Sequence, residues 1–182
     1  IWQSSLTIDP SAAPAWGVSS LFCQENTGPI ISLDKKTGRV SEVYRPSEKV
    51  SLLGSSPDDK VLFIGTETGR ILKYNLHRQK TSWSVNLGSQ RVEHLVIKGK
   101  NLYVLTSGAV LYKLSLARGH LQNWQSIPAR PGGRPLIFSD EIIIPSLDNV
   151  LFGLEPNSLQ NYSKTVLPAA LATDLVLRPT AG

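Results

Sequence analysis

Cysteine and methionine are the scarcest residues in this chain: Cys23 is the single thiol, and there is no methionine at all. One thiol cannot close an internal disulfide or build a thiolate metal cage, and its setting in Leu21-Phe22-Cys23 is that of a small buried hydrophobe. The missing methionine, initiator included, points to a processed chain or to a piece of a longer one. No apolar run approaches the roughly 18–20 residues that span a bilayer. The opening IWQSSLTIDP has neither the basic nor the apolar region of a signal peptide. Histidine is also sparse, and His77, His94 and His120 lack metal-ligand spacing. His94, beside Glu93, reads as a satisfied or lining side chain of an inner strand. No GxSxG, HExxH, P-loop or dinucleotide fingerprint occurs. The Gly-rich basic stretch Arg130-Pro131-Gly132-Gly133-Arg134 opens no helix, so it lacks the N-terminus that would cradle a phosphate, and it reads as an ordinary connection.

What the chain has is a repeat. With 41% hydrophobic and 18% charged residues it is globular in composition. The apolar triplets Leu21-Phe22-Cys23, Leu62-Phe63-Ile64, Leu102-Tyr103-Val104 and Ile142-Ile143-Ile144 recur at spacings of 41, 40 and 40. A second set, Ile30 with Leu33, Ile71 with Tyr74, Leu111 with Leu114 and Leu151 with Leu154, keeps the same phase. The turn residues Asn26-Thr27-Gly28, Glu67-Thr68-Gly69, Thr106-Ser107-Gly108 and Leu147-Asp148-Asn149 separate the two runs, and Gly and Asn accept the positive φ of tight hairpins. Short apolar alternations between turns are β in character, and none sustains helical periodicity.

A period near 40 with four short strands per unit is the pattern of a β-propeller blade. The expected fold is all-β: about four antiparallel four-stranded blades at 9–46, 49–88, 91–129 and 134–168, in one segment over 1–182. With strands A to D running from the inside outwards, strand A is Ser51-Leu52-Leu53, His94-Leu95-Val96, Leu136-Ile137-Phe138 and Leu175-Val176-Leu177. Strand D carries Trp83 and Trp124, and the opening residues with Trp2 resemble it. Orphan strands at 1–8 and 174–178 give the phase of an internal fragment of a larger propeller. An open array leaves two sheet edges, which missing blades, a second chain, or the two terminal strands meeting would close.

The units SLFCQENTGPIISLDKKTG, VLFIGTETGRILKYNLHRQKTSW, NLYVLTSGAVLYKLSLARGHLQNW and EIIIPSLDNVLFGLEPNSLQNY resemble the pyrroloquinoline-quinone-like (PQQ-like) propeller repeat. Leu76-His77-Arg78-Gln79 and Pro156-Asn157-Ser158-Leu159 depart from it, lacking the Thr-Gly of Lys36-Thr37-Gly38. WD-repeat propellers also have blades of this size, but no blade here closes on Trp-Asp, which counts against the WD-repeat reading. The resemblance implies that Trp83 and Trp124 dock onto the neighbouring blade. It covers quinoprotein dehydrogenases, bacterial outer-membrane-assembly lipoproteins and lumenal stress sensors, and so implies a periplasmic or secretory-lumenal setting. The dehydrogenases hold their quinone with vicinal cysteines, which a single Cys23 cannot supply; no catalytic residue, cofactor or metal is expected.

The net charge of +5 admits an acidic partner without requiring one. Overlaying the turns between strands C and D places Arg39, Lys80 and His120 at one position and Thr37, Arg78 and Arg118 at another, with Lys35, Lys36 and His77 beside them. Equivalent turns of a propeller line one face, so these cations predict a basic arc over three blades; solvated turns also carry such residues ordinarily. The arc has no interleaved aromatics to stack bases, which argues against nucleic acid. The expectation is a non-catalytic scaffold that binds a protein partner with an acidic surface. A membrane-linked sensor and an enzyme fragment with its catalytic residues elsewhere stay open.

Overall fold

A computed structural model describes residues 3, 5–26, 28–138 and 140–168, and these contain strands and turns but no helix. The first sheet is β1 (Ala15–Trp16), β2 (Ser20–Gln24), β3 (Ile30–Asp34) and β4 (Val40–Tyr44); the second is β5 (Val50–Ser55), β6 (Val61–Thr66), β7 (Arg70–Asn75) and β8 (Lys80–Asn86). The third is β9 (Val92–Lys98), β10 (Asn101–Thr106), β11 (Val110–Ser115) and β12 (Leu121–Ser126); the fourth is β13 (Leu136–Phe138), β14 (Glu141–Pro145), β15 (Val150–Leu154) and β16 (Asn161–Val166). Each sheet is an antiparallel meander in chain order. The fold is thus all-β, built of propeller-type blades.

The strands form where their burial demands it. In β6 and β10 every residue after the first is buried, so these strands read as unbroken apolar runs rather than alternations. The outer strand β8 alternates between exposed and half-buried positions. The chain divides into two compact units, Ile1–Glu93 with Ala117–His120, and His94–Leu116 with Leu121–Gly182. In the first, Phe22, Ile30, Val50, Leu53, Leu62 and Ile64 form the core between two sheets. In the second, Tyr103, Leu111, Ile142, Ile144, Phe152 and Leu154 do the same. Each such side chain contributes about 1.5–3 kcal/mol by leaving water. The buried Tyr103 hydroxyl donates to the Pro156 carbonyl at 2.9 Å, which offsets its desolvation.

Two repeated turns hold the hairpins. The C–D turns each place one residue in the left-handed region at the same position: Gly38 (φ 71°), Gln79 (50°), Gly119 (72°) and Leu159 (58°). The B–C turns do so at Gly69, Ala109 and Asn149. In the third blade the expected residue was Gly108, but the left-handed residue is its neighbour Ala109. Register explains the difference: the Ala109 amide donates to Thr106 and its carbonyl accepts from Ile127, as Gly69 does with Thr66 and Leu87.

The stretch Arg130–Gly132 pairs with the fourth blade's B–C turn through Leu147 N to Arg130 O and Gly132 N to Pro145 O, the behaviour of a connection. Residues 7–9 repeat this against the first blade, through Asn26 N to Thr7 O and Asp9 N to Gln24 O. The expected strand A at Leu175-Val176-Leu177, and Trp2 of the expected first strand, lie outside the described residues, as does Thr27. The short first strand Ala15–Trp16 had no sequence signal; a bridge from Ala13 to Leu52 secures it.

Candidate interaction site

The first, second and fourth C–D turns are built by side chains that cap their own backbone. The Asp34 carboxylate accepts from the Thr37 amide (2.7 Å), the Thr37 hydroxyl (2.8 Å) and the Lys36 amide (3.0 Å), and these bonds, the Thr37 amide first, hold its pKa below the usual carboxylate range. Asn75 repeats the cap by accepting from Arg78 N at 2.8 Å. Glu155 accepts from Ser158 N (2.5 Å) and Asn157 N (2.8 Å), which bring its carboxyl down to about 2. The first three C–D turns also donate to the A–B turn of their own blade, through Lys35 N to Ser19 O, Leu76 N to Lys60 O and Leu116 N to Lys100 O. Pro156, without an N–H, does not make this bond in the fourth. The turn tips therefore stand at fixed places with their side chains outward.

Lys36, Arg39, His77, Arg78, Lys80, Arg118 and His120 are all exposed. All seven lie in the first unit, and among the described residues none of them forms an ion pair. Lys35 departs from the expectation. Its ammonium donates to the Gly17 carbonyl and stands 5.1 Å from the centre of the Trp16 ring, so it is half-buried and fastens the first blade's inner turn instead of joining the rim. Its position two residues before Thr37 gives no hint of this, because the contact is to β1, seen only in three dimensions.

Asp59, which the sequence reading passed over, ties the second blade to the first. Burial alone would raise its pKa, but bonds from Ser19 N (2.7 Å), Ser19 Oγ (2.8 Å), Val18 N (2.8 Å) and Ser55 Oγ (3.3 Å) bring it below the ordinary value. A Cβ on Gly17 would lie 1.8 Å from Asp59 Oδ1, so glycine is required there.

The two strand-D tryptophans do not share a role. Trp83 pairs with Lys73 across β7 and β8, while the residue paired with the equivalent Lys113 is Asn123. Trp124 sits one place further along, opposite Tyr112, and is 57% exposed. A one-residue offset in a strand reverses the face, so the docking role expected of Trp124 fails. Trp83 is half-buried, 6.2 Å from the Phe63 ring centre and against the turn glycine Gly119. Asn123 instead donates to the Ser158 carbonyl at 2.6 Å, reaching the next blade's turn by a hydrogen bond.

Among the described residues no group of three or more His, Cys, Asp or Glu is placed to hold a metal ion, and no helix is long and apolar enough to cross a membrane. His94 lies half-buried on β9.

Solved structures of similar fold include BamB from Moraxella catarrhalis (TM-score 0.74, 16% identity, 90% of this chain and 51% of that one). A chain of a mitotic checkpoint complex (TM-score 0.76, 15% identity, 91% and 52%) and AztD from Citrobacter koseri (0.71, 13%, 87% and 47%) are similar too. At these identities the likeness is one of fold, that of a β-propeller. Among curated proteins, the cilia- and flagella-associated protein 43 of Trypanosoma brucei brucei is 22% identical over 136 residues, 75% of this chain and 9% of that protein. The chain thus spans about half of the solved structures and a small fraction of the curated relative. The model of the CFAP43 N-terminal domain matches residues 9–125, well over half of the chain and all of the cationic turns, so the chain belongs to the CFAP43 N-terminal domain family.

Proposed function

We propose that this chain is a non-catalytic scaffold module that captures an acidic protein partner on the exposed cations of its C–D turns. The observation that carries the reading is the set Lys36, Arg39, His77, Arg78, Lys80, Arg118 and His120: seven exposed side chains, in three successive turns, without an ion-pair partner among the described residues. Turns tied by backbone hydrogen bonds to the A–B turns of their own blades hold such charges at fixed spacing, which gives a partner a pattern to match. The cilia- and flagella-associated relative supports a structural role in that organelle. The resemblance of the repeats to the PQQ-like family, together with a single cysteine that cannot supply a vicinal pair, supports a scaffold rather than a quinone enzyme.

The test is capture of ciliary and flagellar proteins by the immobilised 182-residue chain and by an Arg78→Glu, Arg118→Glu double variant. Wild-type capture should weaken as ionic strength rises from about 0.1 to 1 M, where the screening length falls from roughly 10 to 3 Å. The double variant should lose it while melting like wild type. Equal capture by both proteins would overturn the reading.

A further inference from the structure

The first blade lacks the aromatic that its neighbour uses to reach the next turn. In the second blade Phe63, Lys73 and Trp83 lie abreast on β6, β7 and β8, and the indole rests against Gly119 of the following turn. The corresponding residues of the first blade are Phe22, Ser32 and Ser41, abreast on β2, β3 and β4, and the following turn offers Gln79 in the place of Gly119. The bulge between β3 and β4 lies at Ile30 and Ile31, beyond the Ser32–Ser41 pair, so a serine occupies the place of the indole. The result is a groove of about 290 Å³, lined by Phe22 with Ser32, Ser41, Glu42, Asp59, Leu76 and Gln79. That is at the lower end of the roughly 300–1,000 Å³ of small-molecule sites and has room for a single large side chain.

We infer that this groove receives a tryptophan from an acidic segment of the protein partner. The inference rests on the scaffold reading above and specifies how the partner is held. Tryptophan is chosen for three reasons. The homologous place one blade on is filled by an indole. The lining includes an aromatic ring of the same kind that meets Trp83. It also carries the Ser32 and Ser41 hydroxyls and the Glu42 carboxylate, acceptors for an indole N–H. The acidic flanks follow from charge: Arg39 lies two residues from Ser41, and His77, Arg78 and Lys80 belong to the turn that supplies Leu76 and Gln79 to the lining. An inserted tryptophan brings its neighbours within reach of these cations. Of the two carboxylates on the groove, Glu42 pairs with Arg45 at 3.1 Å and Asp59 accepts from Val18 N, Ser19 N and Ser19 Oγ, so neither meets the flanks as a bare charge.

The experiment titrates the 182-residue chain, by fluorescence anisotropy, with two labelled peptides of Asp and Glu, one with a central Trp and the other with Ala there. The Trp peptide should bind at least about tenfold tighter, the order expected of a buried aromatic anchor. Ser41→Trp, which rebuilds the neighbouring blade's arrangement, should erase that advantage and leave both peptides equal, and Ser32→Leu, which narrows the groove, should do the same. Melting and circular dichroism establish that each variant is folded. Equal binding of the two peptides to wild type, or a Trp advantage that persists in both folded variants, overturns the groove. If the peptides bind equally but both are lost in Arg78→Glu, Lys80→Glu, the cationic scaffold survives and only the groove fails.

Discussion

The indole of Trp83 covers the backbone of Gly119 so closely that a methyl at that glycine would come within 2.6 Å of Cδ2. Gly119 is also left-handed, at φ 72°. Gly119→Ala should therefore cost about 2–4 kcal/mol, combining roughly 1–2 for the backbone with overpacking of similar size. Trp83→Ala should cost about 1.5–3 kcal/mol, less than a fully buried aromatic. In the Trp83→Ala background the glycine substitution should retain only its backbone part. A double-mutant cycle by urea denaturation measures this coupling, and additive losses would mean that the two residues do not meet.

Trp124→Ala should change stability by less than about 0.5 kcal/mol, as an exposed side chain on the opposite face from Asn123. The contrast with Trp83→Ala is the sharper measurement, since a shared docking role would give both variants comparable losses.

Gln79 pays for its left-handed backbone without the freedom of Gly38 and Gly119, which hold the same place in other turns. Gln79→Gly should gain about 0.5–1 kcal/mol, the relief of the steric cost less the extra entropy of glycine in the unfolded chain. For a chain of this size the melting temperature should rise by roughly 1–4 °C. A fall in melting temperature would show that the side chain, and not the backbone, governs this turn.

Acid should loosen the fourth blade's C–D turn. The amides of Ser158 and Asn157 bring the Glu155 carboxyl from its ordinary 4.5 to about 2. A depressed carboxyl adds stability that is fully present above its unfolded pKa and is lost as pH falls through the folded one. The loss attributable to Glu155 therefore falls between pH 4.5 and about 2. Glu155→Gln should melt below wild type at neutral pH, and the gap should close towards pH 2. A gap that stays constant across that range would separate the turn from the ionisation of Glu155.

The repeat was legible because blade construction imposes it locally. Strands that are buried on both faces must be apolar throughout, hence Leu62-Phe63-Ile64 and its copies, and tight turns must place a residue at positive φ, hence Gly69 and Asn149. The exposed cations of the C–D turns were legible for the same reason, since a tight turn joining two outer strands carries its tip side chains into solvent wherever it occurs. Counting failed wherever a single residue decides a face or a partner. Trp83 and Trp124 look equivalent at a spacing of 41, yet the pairing of Lys113 with Asn123 turns the second tryptophan to solvent. Ala109 takes the left-handed place that Gly108 advertises. Lys35 leaves the rim for Gly17 and Trp16, and Asp59 crosses to Val18 and Ser19, because residues some 20 and 40 apart meet only after the sheets pack. Periodicity thus determined which residues are strands, turns and core. Bulge position and inter-blade contact, which arise from packing between segments distant in sequence, decided which side chains dock, which are exposed, and where the first blade leaves an open groove.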